Sequence, residues 1–172
     1  MRATILPMHP HLQACREILE DATRGGGAEC NSRRDPGKWS VAEVVEHLQR
    51  AYLGNAKGFE RCLEKGVPLA TPKTLKQTLQ GFAVVTLGYF PEGRQAPKHV
   101  LPTGELDLGA VLDAVRRDLE RLHVAAVKMR ERFGGSKKVL DHPVLGAFSV
   151  DQWLKFHLIH TRHHERQIRA RR

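Results

Sequence analysis

Apolar residues recur every three or four positions along most of this 172-residue chain, and no convincing alternating run typical of strands interrupts them. The cleanest stretch follows Asp107, a predicted N-cap, and continues to Phe133 ahead of two glycines. Spacing of this kind places apolar side chains on one helical face, which has to be buried against other helices. The pattern therefore predicts an all-α fold.

Capping signals and glycines divide this pattern into elements. Two helix starts carry the spacing of a capping box, Ser40 with Glu43 and Ser149 with Gln152. Glycines at 25–27 and 134–135 are typical of helix ends. We predict long helices over residues 11–24, 40–64 and 107–133, and a last one from about residue 150 into the terminal arginines.

The segment between the second and third long helices predicts a long crossover. A short helical pattern covers Thr74 to Tyr89, and the residues behind it, including Pro91, Gly93, Pro97 and Pro102, break regular structure. The segment from His142 to Gly146 is expected to be a loop. The expected architecture is an antiparallel four-helix bundle with a long crossover connection carrying a short extra helix, in a single domain over residues 1–172.

Composition excludes several classes. With 41% hydrophobic and 27% charged residues the chain can bury a core, and it lacks the run of ~20 apolar residues that a membrane span needs. Its first residues lack a signal peptide's apolar run, so we expect a cytoplasmic protein without a membrane partner. Three separated cysteines, without Cys-x-x-Cys spacing, argue against disulfides and thiolate zinc sites. They are Cys15, Cys30 and Cys62.

Four of the ten histidines fall within eight residues of the last predicted helix. His157, His160 and His164 share its apolar face, whereas His163 lies at the edge. Three imidazoles on one buried face need partners, and a metal ion supplies one for all of them. The i, i+4 pair His160 and His164 forms the best chelate, with His157 as an alternative ligand that could replace either of them.

A third ligand has to come from another helix. His47 lies between Val44 and Leu48, at the edge of an apolar stripe that faces the core of a bundle. Three histidines would leave positions for water or substrate, which is typical of catalytic sites. His164-Glu165 lacks the second histidine of a zincin motif, so a metalloprotease is disfavoured.

Three segments of the chain resemble the DinB-like (DinB/YfiT) superfamily of metal-binding four-helix bundles. They are Trp39–Glu43 leading to His47-Leu48, the lead-in from His142-Pro143 to Trp153, and His160–Ile168. The resemblance implies a divalent metal site of His47, His160 and His164. A register of His157 with His160 stays open, because four histidines crowd the last helix.

Zn²⁺ or Ni²⁺ is the expected ion, with iron, manganese or copper as alternatives. Characterised relatives include transferases that use low-molecular-weight thiols such as bacillithiol or mycothiol, and a thiol-dependent maleylpyruvate isomerase. A bound cation would activate a small thiol or water. The resemblance thus implies a metal-dependent thiol S-transferase or hydrolase acting on a small-molecule substrate.

Two other classes of function compete with this hypothesis. One is a non-catalytic metal-binding, dimerisation or stress-associated bundle, for which a homodimer is expected. The other is a nucleic-acid-binding module, prompted by the net charge of +9 and the terminal arginines. That module is disfavoured because no nucleic-acid motif is readable.

Charged residues beside the histidines are candidates for further roles. Glu46 and Glu165 adjoin the histidine ligands in sequence, but neighbouring residues on a helix point ~100° apart, which disfavours a general-base role. Three arginines could attract an anionic cofactor, although solvated surface charges are the more common use of arginine. They are Arg50, Arg162 and Arg166.

Overall fold

A computed structural model describes residues 7–72, 74–85 and 96–172. The protein is mostly helical, with two short 3-10 turns, Ala28–Asn31 and Lys98–Val100. Its other elements are α1 Pro10–Thr23, α2 Val41–Lys65, α3 Leu75–Val85, α4 Leu108–Phe133, β1 Lys138–His142, β2 Gly146–Ser149 and α5 Val150–Ala170. In the described ranges no helix is both long and apolar enough to cross a bilayer.

The helix starts follow the capping signals. Both predicted capping boxes form, with the Ser40 and Ser149 hydroxyls accepting from backbone N–H groups and the residues three positions on closing the box. Asp107 caps α4 by accepting from the Ala110 N–H. These caps confirm the predicted helix starts. The starts could be predicted because each depends on contacts within one helical turn. α3 begins at Leu75, and residues 86–95, where we predicted its end and part of the crossover, lie outside the described residues.

The prediction of an all-α fold has to be corrected at residues 138–149. There β1 and β2 pair as an antiparallel hairpin, with Leu140 opposite Phe148. β2 is buried along its whole length, so its four residues show no alternation that a periodicity analysis could detect. The available signal was the turn itself, where Gly146 has a φ of 71° shortly after Pro143.

Four long helices surround the core. α2 packs along α4, α1 packs along α5, and α2 also contacts α5. Large apolar side chains, almost all of them inaccessible to water, fill the space between them. They include Leu12, Leu19, Leu48, Tyr52, Phe59, Leu119, Leu122, Met129, Phe148, Leu154 and Ile168. Burial of these side chains is the main force that holds the helices together.

The hairpin is fixed closely against α2 and α5. At Gly58 of α2 a Cβ atom would lie 2.3 Å from the Leu140 Cδ2, so this close approach requires a glycine or a movement of Leu140. The Trp153 indole N–H of α5 donates to the Leu140 carbonyl over 3.1 Å. The hairpin therefore forms a wall beside α2 and α5, the two helices that carry the predicted ligands.

A segment of the predicted crossover, residues 98–104, lies across α2 and is called the strap here. The Glu46 carboxylate accepts hydrogen bonds from the Thr103 N–H and hydroxyl, both at 2.9 Å, and from the Gly104 N–H at 3.0 Å. Arg50 donates to the Leu101 carbonyl. Through these bonds α2 fixes the strap next to His47.

Candidate metal centre

His47, His160 and His164 meet where α2 and α5 contact each other, and we call them the trio. Their side chains are buried, with exposed fractions of 4%, 7% and 8%. The Nε2 atom of His160 lies 3.2 Å from that of His47 and 3.1 Å from that of His164. One nitrogen from each ring falls within 4.8 Å of the other two. The structure thus brings together the three residues that the sequence singled out.

Two of the three rings are fixed by hydrogen bonds at their other nitrogen. The Nδ1–H of His47 donates to the carbonyl of Val100 in the strap over 2.9 Å. The Nδ1–H of His164 donates to the Oε1 of Gln167, one turn further along α5, over 3.0 Å. A neutral imidazole has one N–H, so both rings direct an Nε2 lone pair towards His160.

This donor arrangement suits a cation. The single proton of a neutral His160 ring could bridge at most one of the two neighbouring lone pairs, whereas one metal ion can accept all three Nε2 atoms. Bonds of about 2.0–2.1 Å to a tetrahedral ion place ligand nitrogens about 3.3 Å apart. The two separations that involve His160, 3.1 and 3.2 Å, come close to that value, and all three ligand atoms lie within 4.8 Å of one another, so the trio could hold a metal.

Burial keeps these rings neutral. Loss of hydration lowers the pKa of His47, of His160 and of His164, the last to about 3. The neighbouring rings lower the pKa of His160 and His164 further, since a charge on one imidazole disfavours a charge on the next. At neutral pH each ring is in the unprotonated state that metal ligation needs.

The other histidines of α5 lie outside the trio. The Nε2–H of His157 donates to the Asn55 Oδ1 over 3.0 Å. Within the described ranges the Nδ1 atom of His157 and the Nδ2 atom of Asn55 have no hydrogen-bond partner. His163 is half-buried and contacts Gln167 across 3.4 Å. The described contacts place His157 on Asn55, whereas His160 and His164 belong to the trio.

The charged residues beside the ligands have contacts of their own. Glu46 is 3% exposed and holds the strap, and Glu165 pairs with Arg169 over 2.9 Å. Arg50 is engaged with the strap and with Glu46. Arg162 is exposed, as expected of a surface charge. Two supports of the trio, Val100 and Gln167, were not identified from the sequence, although Gln167 follows His164 by the three residues that bring side chains together on a helix.

The trio borders a cavity of about 1790 Å³ between α2, α5, the strap and the hairpin. One wall is aromatic: the Phe156 ring stacks 5.3 Å from that of His160, and Trp153 packs 5.8 Å from Phe156. The Trp39 ring lies 5.2 Å from the His47 ring on another side. A small molecule with an apolar part could therefore bind beside the trio.

His157 gives this protein a specific acid sensitivity. Burial lowers its pKa to about 3, with a smaller effect from nearby His142, whereas an unfolded histidine titrates near 6.5. Below about pH 6.5 the unfolded chain therefore binds a proton that the folded chain does not. The free energy of unfolding should fall by up to about 1.4 kcal/mol per pH unit for this residue, down to about pH 3.

A His157→Phe variant should remove that contribution. Urea unfolding of the metal-free protein between pH 7 and pH 4 measures it, and we expect a shallower loss of stability in the variant by about 1.4 kcal/mol per pH unit. The comparison uses the slope of the free energy of unfolding against pH, so a difference in stability between the two proteins at pH 7 does not affect it. Parallel curves over the whole pH range would contradict the prediction.

The fold and the trio define a mostly helical protein with a buried histidine cluster that could bind a metal ion. The chain belongs to the family described as "Protein of unknown function (DUF1569)", whose model matches residues 9–171. It is similar to a protein of Bacillus subtilis (strain 168) described as "Uncharacterized protein YuaE". The two are 24% identical over 151 residues, which are 81% of this chain and 80% of the relative. No solved structure matches the chain.

Proposed function

We propose that this protein is a divalent-metal-dependent enzyme, a thiol S-transferase or hydrolase that acts on a small molecule. The observation that carries the proposal is the convergence of three imidazoles, in which the Nε2 atoms of His47 and His164 lie 3.2 and 3.1 Å from that of His160. The Nε2 atoms of His47 and His164 carry lone pairs, because the Nδ1–H groups of these rings donate to Val100 and Gln167. His47, His160 and His164 would hold the ion.

We also propose that the chain is an antiparallel four-helix bundle of the DinB-like superfamily. The predicted pattern of one ligand on the second long helix and two on the last agrees with the positions of the trio on α2 and α5. The pairing of α2 with α4 and of α1 with α5 supports a bundle, to which the hairpin and α3 are additions.

The chain's own side chains favour an external nucleophile. A bound divalent cation lowers the pKa of a thiol or water at the metal and supplies a nucleophile near neutral pH. The three cysteines are buried, and burial raises the pKa of Cys15 to about 11. A thiol reactant would therefore come from a small molecule, for which the cavity has room. The trio would hold the ion while the aromatic wall orients the reactant and excludes water.

Imidazole-rich sites favour Zn²⁺ or Ni²⁺, with iron, manganese or copper as alternatives. Elemental analysis of protein purified without a histidine tag tests the proposal. We expect about one divalent ion per chain after loading with Zn²⁺ and removal of excess metal, since the trio offers one three-nitrogen site. A preparation that takes up no cation under these conditions would overturn the proposal.

A further inference from the structure

The lining of the trio cavity is strongly cationic. Among the lining residues that the structure describes, six are lysine or arginine and one is acidic, Asp141. The six are Lys38, Lys57, Arg61, Lys98, Arg166 and Arg171. The Asp141 carboxylate accepts from the Thr71 N–H at 3.0 Å and from the Thr71 hydroxyl. An excess of one sign in a concave site raises the local concentration of ligands of the opposite sign.

Five of these six cations form no ion pair with an acidic residue that the structure describes. Lys38 pairs with Asp35 over 3.1 Å, and Arg171 donates to the Trp39 carbonyl over 3.0 Å. Lys57, Arg61, Lys98 and Arg166 form no ion pair within residues 7–72, 74–85 and 96–172. Most of the positive charge of the lining is therefore not neutralised by ion pairs among the described residues.

The cations fall into two groups. Lys57 and Arg61 follow His47 by 10 and 14 residues on α2, which places them about 15 and 21 Å further along the helix. The second group is on the side of the trio: Arg166 lines the cavity one turn beyond His163 on α5, and Lys98 lies in the turn that ends at Val100. Arg171 belongs to this group through Trp39, whose ring lies 5.2 Å from that of His47.

Much of the remaining cavity lining is apolar. Besides Trp153 and Phe156, the lining includes Val84 from α3 and Leu140, Val144 and Leu145 from the hairpin. A ligand that fills the cavity has to present carbon to these side chains and a negative charge to Arg166 and Lys98. A small inorganic anion would leave the apolar wall uncovered.

We propose that the cavity binds an amphipathic anion, with its negative group at Lys98 and Arg166 beside the trio and its apolar body against Trp153 and Phe156. This inference rests on the proposed function and names its substrate class: an organic carboxylate, sulfonate or phosphonate with an apolar body. Arg166 offers the planar fork of donors that suits such oxyanions, and Lys98 offers a mobile ammonium group.

Two probes that share an apolar frame test the proposal on metal-free protein. 1-Anilinonaphthalene-8-sulfonate carries a sulfonate, and N-phenyl-1-naphthylamine has the same rings without the charge. Fluorescence titration should give at least about tenfold tighter binding of the sulfonate, the ratio that about 1.4 kcal/mol of ion pairing provides. Raising the salt concentration from 50 to 500 mM should weaken binding of the sulfonate and leave binding of the neutral probe unchanged.

Charge-removing variants test where the anion binds. The double variant Lys98→Gln/Arg166→Gln should lose about tenfold in affinity for the sulfonate and keep its affinity for the neutral probe. The matched control is Lys155→Gln/Arg162→Gln, which removes two exposed cations of α5 that are absent from the cavity lining. This control should bind both probes as the wild type does.

Three results would overturn the inference. They are equal affinity for both probes, an equal loss in the control variant, and a loss that appears in Lys57→Gln/Arg61→Gln instead. Because the titrations use metal-free protein, their failure leaves the metal site untouched. Metal content measured on the same variants separates the two proposals, since Lys98 and Arg166 are not members of the trio.

Discussion

Replacing His160 by alanine should lower the affinity of the protein for Zn²⁺ by more than about 100-fold. His160 provides the nitrogen that lies close to both of the other ligands, 3.2 Å from His47 and 3.1 Å from His164. Loss of a supporting residue behind a ligand typically costs 10–100-fold in metal affinity, and removal of the ligand itself exceeds that. Two histidines on different helices would be left to hold the ion.

Competition of the untagged protein against a chromophoric zinc chelator measures this affinity. His99→Ala is the matched control, because His99 also lines the cavity but is exposed and stands outside the trio. Excess Zn²⁺ should raise the melting temperature of the wild type and of His99→Ala, and should do so much less for His160→Ala. Equal zinc affinities of wild type and His160→Ala would refute the assignment of the site.

Replacing Glu46 by alanine should lower the free energy of unfolding by about 2 to 3 kcal/mol, because the donors on the strap are exposed and can bond to water instead. The buried carboxylate accepts three hydrogen bonds from Thr103 and Gly104, and bonds to a charged acceptor contribute about 1.5–3 kcal/mol each. Without it, two backbone N–H groups lose the acceptor that ties the strap to α2. The strap carries Val100, whose carbonyl fixes the ring of His47. Zinc affinity should therefore fall too, by about 10–100-fold.

Urea unfolding and the zinc competition assay together test this prediction. Glu120→Ala on α4 is the control, because Glu120 is an exposed helical glutamate, and a change of less than about 0.5 kcal/mol is expected there. Wild-type stability of Glu46→Ala would contradict the role of Glu46 as an anchor. A destabilised variant with wild-type zinc affinity would show instead that His47 keeps its orientation without the strap.

The parts of this molecule that could be predicted are those encoded within a few residues. Ser40 and Ser149 mark helix starts by bonds to residues three positions away, and the i, i+4 spacing of His160 and His164 fixes their common direction. His47 could be predicted because it borders an apolar stripe. A helix face is a local property, so the trio followed from local patterns.

The parts that escaped prediction depend on contacts between distant segments. Val100 supports His47 from 53 residues away, and no spacing rule relates them. Glu46 was considered only as a general base, whereas the structure uses it to hold the strap. The hairpin escaped because burial of every β2 residue removes the period of two. The aromatic wall and the cationic lining both depend on how the hairpin and the strap pack.

The trio joins two helices that are made at very different times. His47 and His160 are 113 residues apart in the chain, and α5 follows every other described element. During synthesis, a nascent polypeptide that has emerged only through α4 presents a single imidazole of the three. Binding of an ion by all three histidines would therefore wait until α5 has docked, and a filled site would report that the chain has been translated and folded through α5.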